Sequence, residues 1–370
     1  VPTILMKALA EMESLGIKRI MTHGEKAAAY MADGYARASG RPGLCLAQQI
    51  GASNLCAGLK DAFLARTPLL AITGGSTVTS RYRHAYQELE DFSQFDSVTK
   101  FNAQVDDVTR LPDLLRQAFR MATSGSPGPV HLRLCNKQGD LPPDELDFQL
   151  LIEAQFGKVP PFRPEPEMQR VRDAAALLAK AQRPIIVSGG GVAASQAQVE
   201  LVKLAEKLQI PVATSLNGNG TILETHPLAV GLVGTYSRTC ANRAVSEADL
   251  VFFIGSPGGG HVTADWKVPA QGVTVIQIDI DPAELGRNYP NAVSILGDAK
   301  VTLQRLIETA QRKSADTAKA WTGRVTQLVD EWRTEVDRMR NSDVMPMRPE
   351  RLCRAITEVL PPNGVVVSDT

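Results

Sequence analysis

Neither sign of charge predominates: forty basic and forty acidic residues cancel, and no long run of one sign occurs. The chain therefore lacks the electrostatic footprint that grips a phosphate backbone or an anionic membrane surface, and no nucleic acid is expected as a partner. Long apolar runs are missing too. Hydrophobic residues make up 44%, yet no stretch approaches the roughly 20 residues that cross a bilayer, and no leader of basic, apolar and small residues opens the chain. A soluble, cytoplasmic protein without a membrane partner is expected, with a few residues before Val1. Cysteine is sparse: Cys45, Cys56, Cys135, Cys240 and Cys353 show no metal-ligand spacing and are expected as buried, reduced thiols. The five histidines form no HExxH pair, and neither a G-x-S-x-G elbow nor a Walker sequence is present.

What is present is an alternation. At 370 residues the chain exceeds one core, and usual domain sizes give two domains with room for a third fragment. Helices are predicted over 1–15, Glu25–Ser39, 53–65 and 109–122, and strands over 19–21, Gly43–Ala47, 69–72 and 128–134. Pro142, Pro143, Pro160, Pro161, Pro164 and Pro166 then mark a stiff connection, because proline lacks an amide donor and resists helices and central strands. A second alternation follows, with helices over 167–181 and 196–207 and strands over Pro184–Ser188, 211–214, 250–255 and 273–279. This grammar predicts an α/β chain of two doubly wound, mostly parallel sheets in series. The tail starts the pattern again with helices over 315–339 and 350–359 and a strand over 365–367, whose uncovered edge predicts a third α/β domain continuing past Thr370. The expected division is an N-terminal domain 1–150, a linker 151–166, a middle domain 167–312, a connecting helix and linker 313–349, and a third-domain start 350–370.

Several segments invite a functional reading beside a structural one. His23-Gly24-Glu25-Lys26-Ala27-Ala28-Ala29-Tyr30 opens an alanine-rich helix in which Glu25 complements the dipole whatever else it does. Gln48-Gln49-Ile50-Gly51-Ala52-Ser53-Asn54 falls between strand and helix, where Gly51 suits the turn and Ser53 the cap. Tyr86-Gln87-Glu88 reads as a solvated polar loop. Ser188-Gly189-Gly190-Gly191-Val192-Ala193-Ala194 has the G-x-G-x-x-A form of a dinucleotide fingerprint, without a convincing acid about 20 residues on.

Together with Thr214-Ser215-Leu216-Asn217-Gly218, Ile278-Asp279-Ile280-Asp281-Pro282 and Gly297-Asp298-Ala299-Lys300, these segments resemble the acetolactate-synthase-like enzymes that depend on thiamine diphosphate, over essentially the whole chain. The resemblance implies a first domain that binds the cofactor's aminopyrimidine and a middle domain that holds FAD or ADP in some members. It places Glu25 on the catalytic glutamate, which favours the imino tautomer so that the C2 proton is lost and a nucleophilic ylide forms. A poorly hydrated slot that raises the pKa of Glu25 is expected to accompany this role. Gly51 and Asn54 are implied beside the pyrimidine and Gln87 on the substrate side. Gly190, Ser215, Leu216, Gly255, Asp279 and Asp298 are implied along a possible FAD or ADP site.

Two departures stand out. Gln49 and Ile50 replace the family's Gly-Pro, and Ser256-Pro257-Gly258-Gly259 replaces the Ala-Arg-Phe-Asp of FAD-binding members. Mg2+ ligands are implied beyond Thr370, on the rest of the polypeptide or on a separate chain, and without them the chain is expected to be inactive. Active sites shared between subunits imply a homodimer or homotetramer. The implied reaction is decarboxylation and carboligation of a 2-oxo acid, acetolactate synthesis being the favoured instance. An acyl-CoA lyase or decarboxylase, a sulfoacetaldehyde-type acetyltransferase and a non-catalytic nucleotide-binding subunit are the alternatives.

Overall fold

The structure is a computed structural model and describes residues 10–135, 151–311 and 315–367. The chain divides into two compact units, Val1–Pro164 and Glu165–Thr370.

In the first unit, β1 (Gly43–Ala47), β2 (Leu69–Gly75), β3 (Asn102–Val105) and β4 (Pro129–Cys135) form a sheet in the order β1-β2-β4-β3, parallel throughout. Period-two alternation along β2 makes the layers. Leu69 and Ala71 enter a core with α1 (Glu25–Ser39) and α2 (Ala52–Leu64), while Leu70 and Ile72 pack with α3 (Leu111–Thr123). α1 lies close to α2 because their contact is between small residues: a Cβ on Gly58 would stand 2.7 Å from the Ala29 Cβ and 2.8 Å from the Lys26 carbonyl oxygen. The helix begins on Glu25, carries an Asp33–Arg37 ion pair at 2.9 Å in its last turns, and stops at Gly40 with φ 67°.

The second unit holds six parallel strands: β5 (Pro184–Ser188), β6 (Val212–Thr214), β7 (Ala229–Leu232), β8 (Leu250–Ile254), β9 (Thr274–Asp279) and β10 (Val293–Leu296). Their order, β10-β9-β8-β5-β6-β7, is the doubly wound arrangement that reverses direction between its first and fourth strands, here β5 and β8. On β8, Phe252 and Ile254 face α4 (Met168–Lys180), α6 (Gln198–Leu208) and α8 (Ala299–Thr309), with the short α5 (Gly190–Ala194) leading into α6. Val251 and Phe253 face α7 (Thr239–Glu247) and α9 (Ala315–Arg340). α9 is followed by α10 (Pro349–Val359).

Several expectations change. No strand forms at 19–21, where Ile20 and Met21 are exposed and have no ladder neighbour. Residues 365–367 likewise join no sheet among the described residues. Of the helix expected over 1–15, residues 10–14 are helical and 1–9 lie outside the described residues, as does most of the proline-rich link before 151. α9 is a packed layer of the second unit, where Trp321, Val325 and Leu328 are buried and Trp321 Nε1 donates to the Pro184 carbonyl at 2.8 Å. Among the described cysteines, Cys45, Cys56, Cys135 and Cys240 are buried and free, and Cys353 is exposed. No helix among the described residues is long and apolar enough to cross a membrane.

Candidate active site

The loop after β1 makes one tight turn over Gln49–Gly51, closed by the Gly51 amide donating to the Gln48 carbonyl at 2.9 Å, and α2 starts at the next residue. That geometry lays Gly51 directly on the first turn of α1. A Cβ at position 51 would lie 2.5 Å from Glu25 Oε1, so any larger residue would displace the carboxyl or the turn. From the first turn of α2, Asn54 Nδ2 donates to Glu25 Oε2 at 3.3 Å. Glu25, Gly51 and Asn54 thus meet.

Glu25 is half-buried, so the poorly hydrated slot expected for it is only partly built by this chain. Ile50, in the middle of the turn, is exposed, whereas Gln49 points inward, 1% exposed, with Nε2 donating to Ser76 Oγ at 3.1 Å. An aminopyrimidine nitrogen fits this arrangement. Asn54 steadies one carboxyl oxygen, no side chain at Gly51 overhangs the other, and the group keeps an open side.

Gln87 sits in a loop where Tyr82, His84 and Gln87 take φ values of 62°, 55° and 61°, left-handed values that cost non-glycine residues energy. Glu88 holds the loop by accepting from the Ala85 amide at 2.9 Å and the Tyr82 amide at 2.5 Å. These donors, Ala85 foremost, keep its carboxyl below the usual range. Gln87 Oε1 is buried without a hydrogen-bond partner among the described residues, and no described hydrogen bond joins Gln87 to Glu25 or Asn54. Arg133, buried in β4, donates to the Leu89 carbonyl at 3.0 Å and lies 3.6 Å from Asp91, whose carboxyl is pushed up by burial. Sequence reasoning missed Ser76 and Arg133; only Arg133, a cation inside an apolar strand, carried a signal.

In the second unit, Gly190, Ser215, Gly255, Asp279 and Asp298 all follow or end strands at the carboxyl ends of the parallel sheet. At the β5–β8 reversal the glycines contact one another: the Gly191 amide donates to the Gly255 carbonyl at 3.0 Å, and a Cβ on Gly189 would stand 2.2 Å from that oxygen. Ser215 Oγ accepts from the Gly218 amide at 3.1 Å, and Leu216 is exposed. Burial, with Glu284 and Asp281 adding, pushes the Asp279 carboxyl up to about 6. Asp298 is different. It is 1% exposed and caps α8, with Oδ1 accepting from the Val301 amide at 3.2 Å and Oδ2 from Ser195 Oγ at 2.7 Å, so both carboxyl oxygens serve the fold. No group of three or more histidine, cysteine, aspartate or glutamate residues able to hold a metal occurs among the described residues.

Residues 3–95 match the thiamine pyrophosphate enzyme N-terminal TPP binding domain, and residues 171–306 match the thiamine pyrophosphate enzyme central domain. The chain belongs to the thiamine pyrophosphate enzymes. Glu25, Gly51, Asn54 and Gln87 lie in the stretch that matches the family's TPP binding domain. The chain is 37% identical over 348 residues to a probable acetolactate synthase large subunit of Methanocaldococcus jannaschii, covering 92% of this chain and 57% of that relative. It is 35% identical over 307 residues to the acetolactate synthase large subunit of Corynebacterium glutamicum, covering 82% of this chain and 48% of that relative. The chain thus spans about half of the length of these relatives.

Proposed function

We propose that this chain supplies the pyrimidine side of a thiamine-diphosphate-dependent enzyme that decarboxylates a 2-oxo acid and joins the remainder to an acceptor, as in acetolactate synthesis. The observation that carries the reading is the meeting of Glu25 with Gly51 and Asn54. When bound, thiamine diphosphate supplies a carbon nucleophile for the 2-oxo group and a sink for the electron pair freed as carbon dioxide leaves. Glu25 would hold a proton at a pyrimidine ring nitrogen, Asn54 would orient that carboxyl, and Gly51 would keep the approach clear. Gln87, with its buried and unpartnered Oε1, is the residue assigned to the substrate side.

The reading places Mg2+ and the diphosphate outside the described residues and sets a second protomer, or another chain, over the open side of Glu25, in a homodimer or homotetramer. In the middle unit, Gly190, Ser215, Leu216, Gly255 and Asp279 line the carboxyl ends of the strands, where FAD or ADP would lie, and Asp298 supports that end through the helix it caps.

Glu25→Gln in the whole protein keeps the shape of the side chain and removes its proton. Turnover of pyruvate is expected to fall by about 10²–10⁴, the usual contribution of a positioned acid or base, with circular dichroism unchanged. Turnover equal to that of the parent would remove this reading.

A further inference from the structure

We propose that Gln49 and Ser76 form a buried tether that positions Glu25 against the thiamine pyrimidine; this rests on the cofactor role assigned to Glu25 above. Gln49 is 1% and Ser76 7% exposed, and their 3.1 Å hydrogen bond joins positions 27 apart in sequence. It links the turn after β1 to the segment leaving β2, where Ala47 and Thr73 are register partners. The turn also lies against Glu25 itself, three atoms of which would lie 2.5–2.7 Å from a Cβ on Gly51. The turn is therefore clamped between an internal hydrogen bond and the working carboxyl. A displacement of a few tenths of an ångström presses on Glu25 in one direction and lets water reach it in the other. Buried Ala47 and Ala52 flank the turn, and in such low-dielectric surroundings the amide–hydroxyl bond holds its geometry more strongly than in water. Gln49 and Ser76 touch no reacting atom, so they are positioning residues.

The test uses the whole, assembled enzyme with thiamine diphosphate as the probe. Calorimetry gives its affinity, and proton NMR gives the pH midpoint for exchange of its C2 proton. Gln49→Met and Ser76→Ala are each expected to weaken binding about three- to tenfold, the effect of one hydrogen bond, and to shift the midpoint, because the carboxyl no longer lies at one fixed position against the pyrimidine. The double variant is expected to be no worse than either single one, and Ser76→Thr, which keeps the hydroxyl, to restore both properties. A purely structural bond would lower the melting temperature and leave the midpoint in place. That result, or additive losses in the double variant, overturns the tether. Glu25→Gln separates the two ideas: if it abolishes exchange while the tether variants behave as the parent, only the tether fails, and if exchange survives it, the cofactor role of Glu25 fails as well.

Discussion

A methyl group on residue 51 would stand within 2.7 Å of three Glu25 atoms, a distance that forces either the turn or the carboxyl to move. Gly51→Ala is expected to cost about 1–3 kcal/mol through overpacking, and to weaken thiamine diphosphate binding tenfold or more by calorimetry. His131 is tied as tightly, with no part in the site. Its ring stacks on Phe95 at a centroid distance of 3.6 Å, with Nδ1 2.7 Å from Asn102 Oδ1 and Nε2 2.7 Å from Thr73 Oγ1. Because Asn102 Nδ2 already donates to Phe92 O and Asp96 Oδ1, its oxygen faces the imidazole. His131 therefore donates from Nδ1 and accepts the Thr73 hydroxyl at Nε2. A second proton would force the Thr73 hydroxyl to turn from donor to acceptor, and burial, with the Arg133 charge adding, drives the pKa of His131 down to about 3.

Helix ends and interiors in the second unit carry predictions of opposite sign. Asp298 supplies the cap of α8 and the buried partner of Ser195. Asp298→Ala removes both and is expected to cost about 1–3 kcal/mol, visible as a lower urea midpoint. Gly323 lies inside α9 with nothing within 4 Å of the place a Cβ would take. Gly323→Ala is therefore expected to stabilise by about 0.5–1 kcal/mol, the helix-propensity difference, and to raise the midpoint in the same assay. α9 responds to such a change because Trp321, Val325 and Leu328 bind it into the core of its unit.

Taken across the chain, two buried groups, His131 in the first unit and Asp279 in the second, respond to pH in opposite senses. For His131, folded pKa about 3 against an ordinary 6.5, the unfolded state binds more protons between those values. Stability of the first unit is then lost as pH falls through that window, by up to about 1.4 kcal/mol per pH unit. For Asp279, folded pKa about 6 against an ordinary 3.8, the folded state binds more protons, so its contribution is present at low pH and is lost as pH rises toward and beyond 6. His131→Gln is expected to flatten the acid-side loss, and Asp279→Asn to raise stability at pH 7 and above. Thermal melts from pH 4 to pH 8 followed by calorimetry check both slopes.

Local pattern sufficed for much of this protein. The bounds of Glu25–Ser39 and Pro184–Ser188 follow from apolar period, a first-turn acid and proline or glycine at the ends, all carried by neighbouring residues. Glu25, Gly51 and Asn54 were named through the resemblance of their segments to the family, since the residues alone read as a helix start and a turn. Strands of four residues such as β3 and β7 are too short to show a period, and the still shorter segment at 19–21 has no neighbour to pair with among the described residues. The fold alone settled that Gln49 turns inward to Ser76, that Asp298 accepts from Ser195, and that Asn54 reaches Glu25. These contacts join positions 27, 103 and 29 apart, and they depend on which strands lie side by side, which no local stretch of sequence encodes.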